Sequence, residues 1–107
     1  MSGRGSQRKG AQGERELCAL LQQAGFPVQR GGSLSFGETP DLMGLPGVHC
    51  EVKRVERLNL DAAMRQAIRD AGRFHDGVPC VFHRRNREGW RVTMRIDDWL
   101  ALYQRGR

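Results

Sequence analysis

Cysteine is scarce and scattered in this chain. Cys18, Cys50 and Cys80 are odd in number, far apart, and form no C-x-x-C pair. That pattern argues against a disulfide framework, and His49, His75 and His83 do not complete a zinc site around it. The three cysteines are expected to be reduced, buried small hydrophobes. Aromatic residues make up only 7% of the chain. They fall at core-type positions and do not alternate with basic residues, unlike the stacking platform of a single-strand binder. No apolar run is long enough to span a bilayer and no stretch resembles a signal peptide. A cytoplasmic protein with no membrane partner is therefore expected. Acids are the minority charge: 12 Asp and Glu against 18 Lys and Arg give a net charge of +6 and a pI of about 10.2. Such an excess points to an anionic partner. The 107 residues make one small domain.

Gly, Ser, Gln and the basic residues Arg4, Arg8 and Lys9 dominate residues 1–11. Nothing there can bury apolar area, so this stretch is expected to be a disordered basic tail, either solvated or closing on phosphates. Residues 12–107 are expected to form the folded domain. Leu17, Leu20, Leu21 and Ala24 recur at helical spacing over 13–24, with Gly25 as the stop. A short strand over 26–30, a glycine-rich loop and a hairpin over 40–55 follow. Asn59 or Asp61 caps a second helix running to Phe74, with Leu60, Met64, Ala67, Ile68 and Ala71 as its apolar stripe. Strands over 78–83 and 90–96 flank a basic turn. Asp97 is expected to cap a last helix with Trp99, Leu100, Leu102 and Tyr103. The order α-β-β-β-α-β-β-α predicts an α/β fold, a mixed sheet flanked by helices.

The hairpin carries the chemistry. Leu45-Pro46-Gly47-Val48 has turn composition, and folding back about it brings Asp41 beside Glu51 and Val52. Strand alternation sends Val48, Cys50 and Val52 toward the core and leaves Glu51 and Lys53 on the opposite face. Two carboxylates at that separation repel unless a cation lies between them, and Mg²⁺ suits oxygen donors. Asp41 and Glu51 are the candidate ligand pair, with the backbone carbonyl of Val52 as a further ligand. Lys53, a compact charge on a flexible stem, can orient a water and offset phosphate charge. Glu14 borders the first helix's apolar stripe, where an acid is costly without a partner. It is a candidate ligand, directly or through water, against the alternative of a helix-dipole acid. His49 shares Glu51's face but is read as a strand-end residue, and Gln66 as a surface amide. Ser33 either contacts phosphate or is an ordinary loop serine. Arg54, Arg57, Arg65, Arg69, Arg84, Arg85 and Arg87 are candidate phosphate contacts, and DNA contacts if the anionic partner is a nucleic acid.

Gly13-Glu14-Arg15-Glu16-Leu17, Val28-Gln29-Arg30 with Ser33, Pro40-Asp41-Leu42 and Cys50-Glu51-Val52-Lys53-Arg54 together resemble the PD-(D/E)XK nuclease superfamily. Within it they resemble archaeal-type Holliday-junction resolvases and their phage or prophage relatives. The resemblance implies a restriction-endonuclease-like core, a homodimer, Mg²⁺ with Mn²⁺ as a substitute, and a bacterial, archaeal or phage-infected cell. It implies Glu14, Asp41 and Glu51 as the acidic site, Lys53 as the catalytic lysine, and Ser33 as a loop serine near it. The expected function is a Mg²⁺-dependent endodeoxyribonuclease acting on branched DNA, a Holliday junction in particular. A structure-tolerant duplex nickase and a non-catalytic nucleic-acid-binding module stand as alternatives. A small RNA binder would explain the charge but not the clustered acids.

Overall fold

The computed structural model describes residues 3–31 and 39–106, with side chains from residue 10 onward. Its elements are α1 (Gly3–Gln23), β1 (Gln29–Arg30), β2 (Leu42–Met43), β3 (Val48–Arg54), α2 (Leu60–Phe74), β4 (Val78–Arg84), β5 (Arg91–Met94) and α3 (Ile96–Arg105). The order matches the expected α-β-β-β-α-β-β-α. Among the described residues no helix is long and apolar enough to cross a membrane.

The strands form one mixed sheet in the order β1-β2-β3-β4-β5. β1, β2 and β3 pair antiparallel, β3 and β4 parallel, and β4 and β5 antiparallel. A parallel pair cannot be joined by a tight turn, so the chain must cross over between β3 and β4, and α2 is that crossover. Asn59 caps α2, its side chain accepting from the Ala62 N–H at 3.0 Å, while Asp61 lies in the first turn.

The two faces of the sheet are buried differently. Leu17 and Cys18 of α1 pack with Val28, Leu42, Cys50, Val52, Cys80 and Phe82 on one face. Ala63 and Ala67 of α2 pack with Val81 on the other. Both faces of central β3 are therefore covered, and Glu51 is only 4% exposed. The sequence places Glu51 and Lys53 on the charged face of that strand. The crossover covers this face, because its alanines bring α2 close to it. The same closeness selects Ala63, Ala67 and Ala71 as the buried residues of α2 and leaves Ile68 exposed, against the expected stripe. Cys18, Cys50 and Cys80 are free and buried, as the sequence suggests. Burial pushes the Cys50 thiol up to about 12 and Cys80 up to about 11.

Three boundaries differ from expectation. α1 begins at Gly3, so the backbone expected to be a disordered tail is helical from there. Gln7, Arg8, Lys9, Ala11 and Gln12 are good helix formers, and extending a helix that is already nucleated costs little. β1 is confined to Gln29–Arg30, because Pro27 lacks a donor and only these residues pair with β2. α3 starts after Arg95, which makes no side-chain cap, so Asp97 falls inside the first turn instead of capping.

Ala67 is fully buried against the sheet. Ala67→Leu is expected to cost about 1–3 kcal/mol by overpacking, measured by urea unfolding.

Candidate functional site

The hairpin turn forms as its composition demands. Gly47 has φ 75°, and the Val48 N–H donates to the Leu45 carbonyl at 3.2 Å. The turn sets the register Leu42↔Cys50, which carries Asp41 opposite Glu51. On its other side Asp41 is pinned by the incoming chain: its carbonyl accepts from the Gly31 N–H at 2.9 Å. A Cβ on Gly31 would lie 1.9 Å from the Pro40 carbonyl oxygen, so only glycine permits this crossing.

The Asp41 carboxylate accepts from the Val52 N–H at 2.9 Å. It thus continues the β2–β3 ladder where β2 has ended. A strand residue's N–H and C=O open on the same edge, so the Val52 carbonyl lies on Asp41's side of β3. Burial, with Glu51's charge next, pushes the Asp41 carboxyl from the usual 3.8 up to about 7. Glu51 Oε2 lies 3.5 Å from Lys53 Nζ, which donates to Gln66 Oε1 at 2.9 Å. Glu14, Asp41, Glu51, Val52, Lys53 and Gln66 line a cleft of about 270 Å³.

The structure therefore brings Glu14, Asp41, Glu51, Val52 and Lys53 together. Glu14 is already engaged, its Oε1 accepting from Arg30 at 3.0 and 3.2 Å. Among the described residues no three His, Cys, Asp or Glu side chains could hold a metal ion. The donor set is instead two apposed carboxylates and a backbone carbonyl. That composition fits Mg²⁺, which keeps several waters and takes few protein ligands, better than a cation needing a full protein cage.

The candidate DNA contacts divide. Arg54 and Arg84 are both held by Glu16, at 3.4 and 2.9 Å, and Arg84 also donates to the Arg85 and Glu88 carbonyls. Arg84, first among the causes, holds the Glu16 carboxyl below its usual value against burial. Arg85 pairs with Glu88. Arg65 and Arg69 lie on the exposed side of α2, Arg69 only 3.8 Å from Asp70. Arg57 and Arg87 are exposed in turns. Ser33 lies outside the described residues.

Sequence reasoning missed three partners. Gln66, read as a surface amide, holds Lys53; its position one turn after the sheet-facing Ala63 could have flagged it. Arg30, the last residue of β1, holds Glu14. His49, read as a strand-end residue, is 1% exposed and lies 3.7 Å from Glu51. No local signal marks His49, because its burial comes from α2.

Acids crowded on the rim of a mixed sheet, in a chain of strong positive charge, belong to a protein that handles a phosphate backbone, and the class is that of a nuclease. The model of the archaeal Holliday junction resolvase family, Hjc, matches residues 5–101, and the chain belongs to that family. Its activity is accordingly that of a nuclease resolving branched DNA. A solved structure of Archaeoglobus fulgidus Hjc, a Holliday junction resolvase from an archaeal hyperthermophile, is similar at 27% identity with a TM-score of 0.59. The match covers 80% of this chain and 72% of that one. A search of curated proteins returned no match.

Asp41 gives a test of the site's electrostatics. With its pKa raised, the folded protein keeps a proton that the unfolded chain releases above about pH 4. This contribution is full below about pH 4, falls as pH rises, and is lost above about pH 7. Asn keeps an acceptor for Val52 and carries no charge. Metal-free Asp41→Asn is therefore expected to exceed wild type in stability above pH 7, on the order of 4 kcal/mol. The gap should close toward pH 4. Urea unfolding across that range measures it, and a pH-independent gap would count against the assignment.

Proposed function

We propose that this protein is a Mg²⁺-dependent endonuclease of PD-(D/E)XK type that cuts Holliday junctions in the cytoplasm as a homodimer. The observation that carries the metal-dependent reading is the apposition of Asp41 and Glu51 across β2 and β3. A cation between these two carboxylates would relieve the repulsion that, after burial, raises the Asp41 pKa. Asp41, Glu51 and the Val52 carbonyl would hold Mg²⁺, or Mn²⁺ in its place, and Glu14, occupied by Arg30, would act through water. Such an ion lowers the pKa of a water and neutralises charge at the phosphoryl oxygens.

The protein's own groups do the rest. Gln66 and Glu51 hold the Lys53 ammonium at the cleft, where it orients the attacking water and favours its deprotonated form. Asp41 keeps its orientation through the Val52 N–H. Arg57, Arg65, Arg69 and Arg87 make no close ion pair among the described residues, apart from the 3.8 Å approach of Arg69 to Asp70. They are the groups best placed to take up DNA phosphates. Arg54, Arg84 and Arg85 are held in order by Glu16 and Glu88 and would contact DNA as parts of those networks. Ser33 would contact a phosphate. From Gly3 onward the basic stretch extends α1 ahead of the nuclease domain, and its charge would add to the attraction for DNA.

The homodimer reading rests on α3. None of its ten residues is buried, and an isolated helix of that length is marginal in water. Ile96, Trp99, Leu100, Leu102 and Tyr103 are exposed on it. Beside it lies an apolar groove of about 430 Å³ reaching Val48, Val78, Phe82 and Met94. A second copy would cover this surface, and a two-fold dimer would present two sites to a two-fold junction.

Labelled four-way junction is expected to be cut with Mg²⁺ or Mn²⁺ and not in EDTA, more efficiently than duplex. Asp41→Asn, Glu51→Gln and Lys53→Ala should each lower the cleavage rate by on the order of 100-fold or more, with junction binding retained. Full activity of Glu51→Gln would refute the mechanism. Equal rates on junction and duplex would favour the duplex nickase. Sedimentation should give a dimer, and Leu102→Glu a folded monomer that nicks one strand.

A further inference from the structure

His49 has no part in the chemistry above, yet it is among the most deeply buried polar residues. It sits in β3 two residues before Glu51, on the face covered by α2. Nδ1 lies 2.9 Å from both carboxylate oxygens of Asp76. The Phe74 ring stacks on it, 6.3 Å between centroids and 14° between planes. Nε2 is buried without a hydrogen bond and stands 3.7 Å from Glu51 Oε1. That is an ion-pair distance, one small rotation from a hydrogen bond.

Asp76 dictates the ring's state. An ionised carboxylate only accepts, so Nδ1 carries a proton and Nε2 is the atom left to face Glu51. A ring with a carboxylate at each end is held in the form that donates from both.

The backbone goes to some trouble to deliver Asp76. It stands between His75, at φ 52°, and Gly77, at φ 131°. A Cβ on Gly77 would lie 2.2 Å from the Gly47 carbonyl carbon. An apolar side chain at position 49 would satisfy packing against Phe74 without any of this. The two oxygens of Glu51 consequently have different neighbours: Oε1 the imidazole, Oε2 the Lys53 ammonium.

We infer that His49, held by Asp76, is a positioning residue that fixes the rotation of the Glu51 carboxylate, turning Oε1 to the imidazole and leaving Oε2 for a divalent cation in the cleft. Outer partners of this kind set a ligand's orientation and basicity. The inference rests on the metal-dependent reading above.

The test is Mn²⁺ binding, followed by the electron spin resonance of the free ion, with thermal melting in parallel. His49→Leu fills the space without a donor and is expected to weaken Mn²⁺ binding by about 10-fold or more. His49→Gln returns an amide donor near the former Nε2 and should recover most of that loss. Asp76→Asn, which keeps an acceptor for Nδ1 but removes the charge that holds the ring, should weaken binding by a smaller factor. In a Glu51→Gln background, His49→Leu should cause no further loss. Wild-type Mn²⁺ affinity in folded His49→Leu would overturn the inference. So would an equal loss in both backgrounds, or loss of melting temperature alone. If His49→Leu does not fold, wild-type affinity in Asp76→Asn overturns it instead. A wild-type protein that binds no Mn²⁺ and cuts no DNA overturns the metal-dependent reading and this inference together. Wild-type binding and cutting with unaffected variants overturns this inference alone.

Discussion

The parallel pairing of β3 with β4 is the constraint on which the rest depends. It forces a crossover, the crossover is α2, and α2 closes the second face of β3. One strand is then gripped by β2 and β4 at its edges and by α1 and α2 at its faces. Every group at the cleft except Glu14 is referred to that strand. Glu51 and Lys53 project from it, Val52 offers its backbone, Asp41 extends its ladder, and Gln66 reaches down from the helix that covers it. A site built on so enclosed an element needs little reorganisation to act, and rigid elements hold such geometry better than loops.

Electrostatics opposes this arrangement and is tolerated. Asp41 and Glu51 destabilise each other, and burial raises the cost. Glu16 shows the opposite case: it binds two arginines, its charge is stabilised, and it orders the basic surface where β3 and β4 end. Acids in this small protein thus do two kinds of work. Those facing cations of the chain build the surface, and those facing each other leave an unmet demand for positive charge at one place.

Much of this was legible in the chain. Element order followed from hydrophobic period and turn residues, and the Asp41–Glu51 apposition followed from Pro46-Gly47, because a tight turn fixes register over a few residues. Lys53 followed from alternation. What was not legible came from contacts between distant segments. The burial of His49 and Glu51 depends on a helix that begins at Leu60. Arg30 and Glu14 are sixteen residues apart. Arg84 and Glu16 are separated by sixty-eight. Period-2 alternation says which residues share a face, but not whether that face is open. The helical reach of α1 back to Gly3 was hidden for another reason: a glycine-rich, basic stretch has no apolar stripe to reveal a helix.

The seat of Gly77 on Gly47 joins two turns that are thirty residues apart. One is the turn of the hairpin that aligns Asp41 with Glu51. The other delivers Asp76 to His49. The Val78 N–H donates to the Gly47 carbonyl at 2.9 Å, so the seat is bonded as well as packed. The register that apposes Asp41 to Glu51 and the contact that holds His49 are therefore anchored to a single knot of backbone at the far end of β3 from Lys53. Strain entering at that knot reaches the acids along two routes at once, through strand register and through the imidazole. A substitution remote from the cleft would accordingly detune the chemistry with the cleft's own residues unchanged, and the knot is the natural handle for adjusting this enzyme without touching its reactive groups.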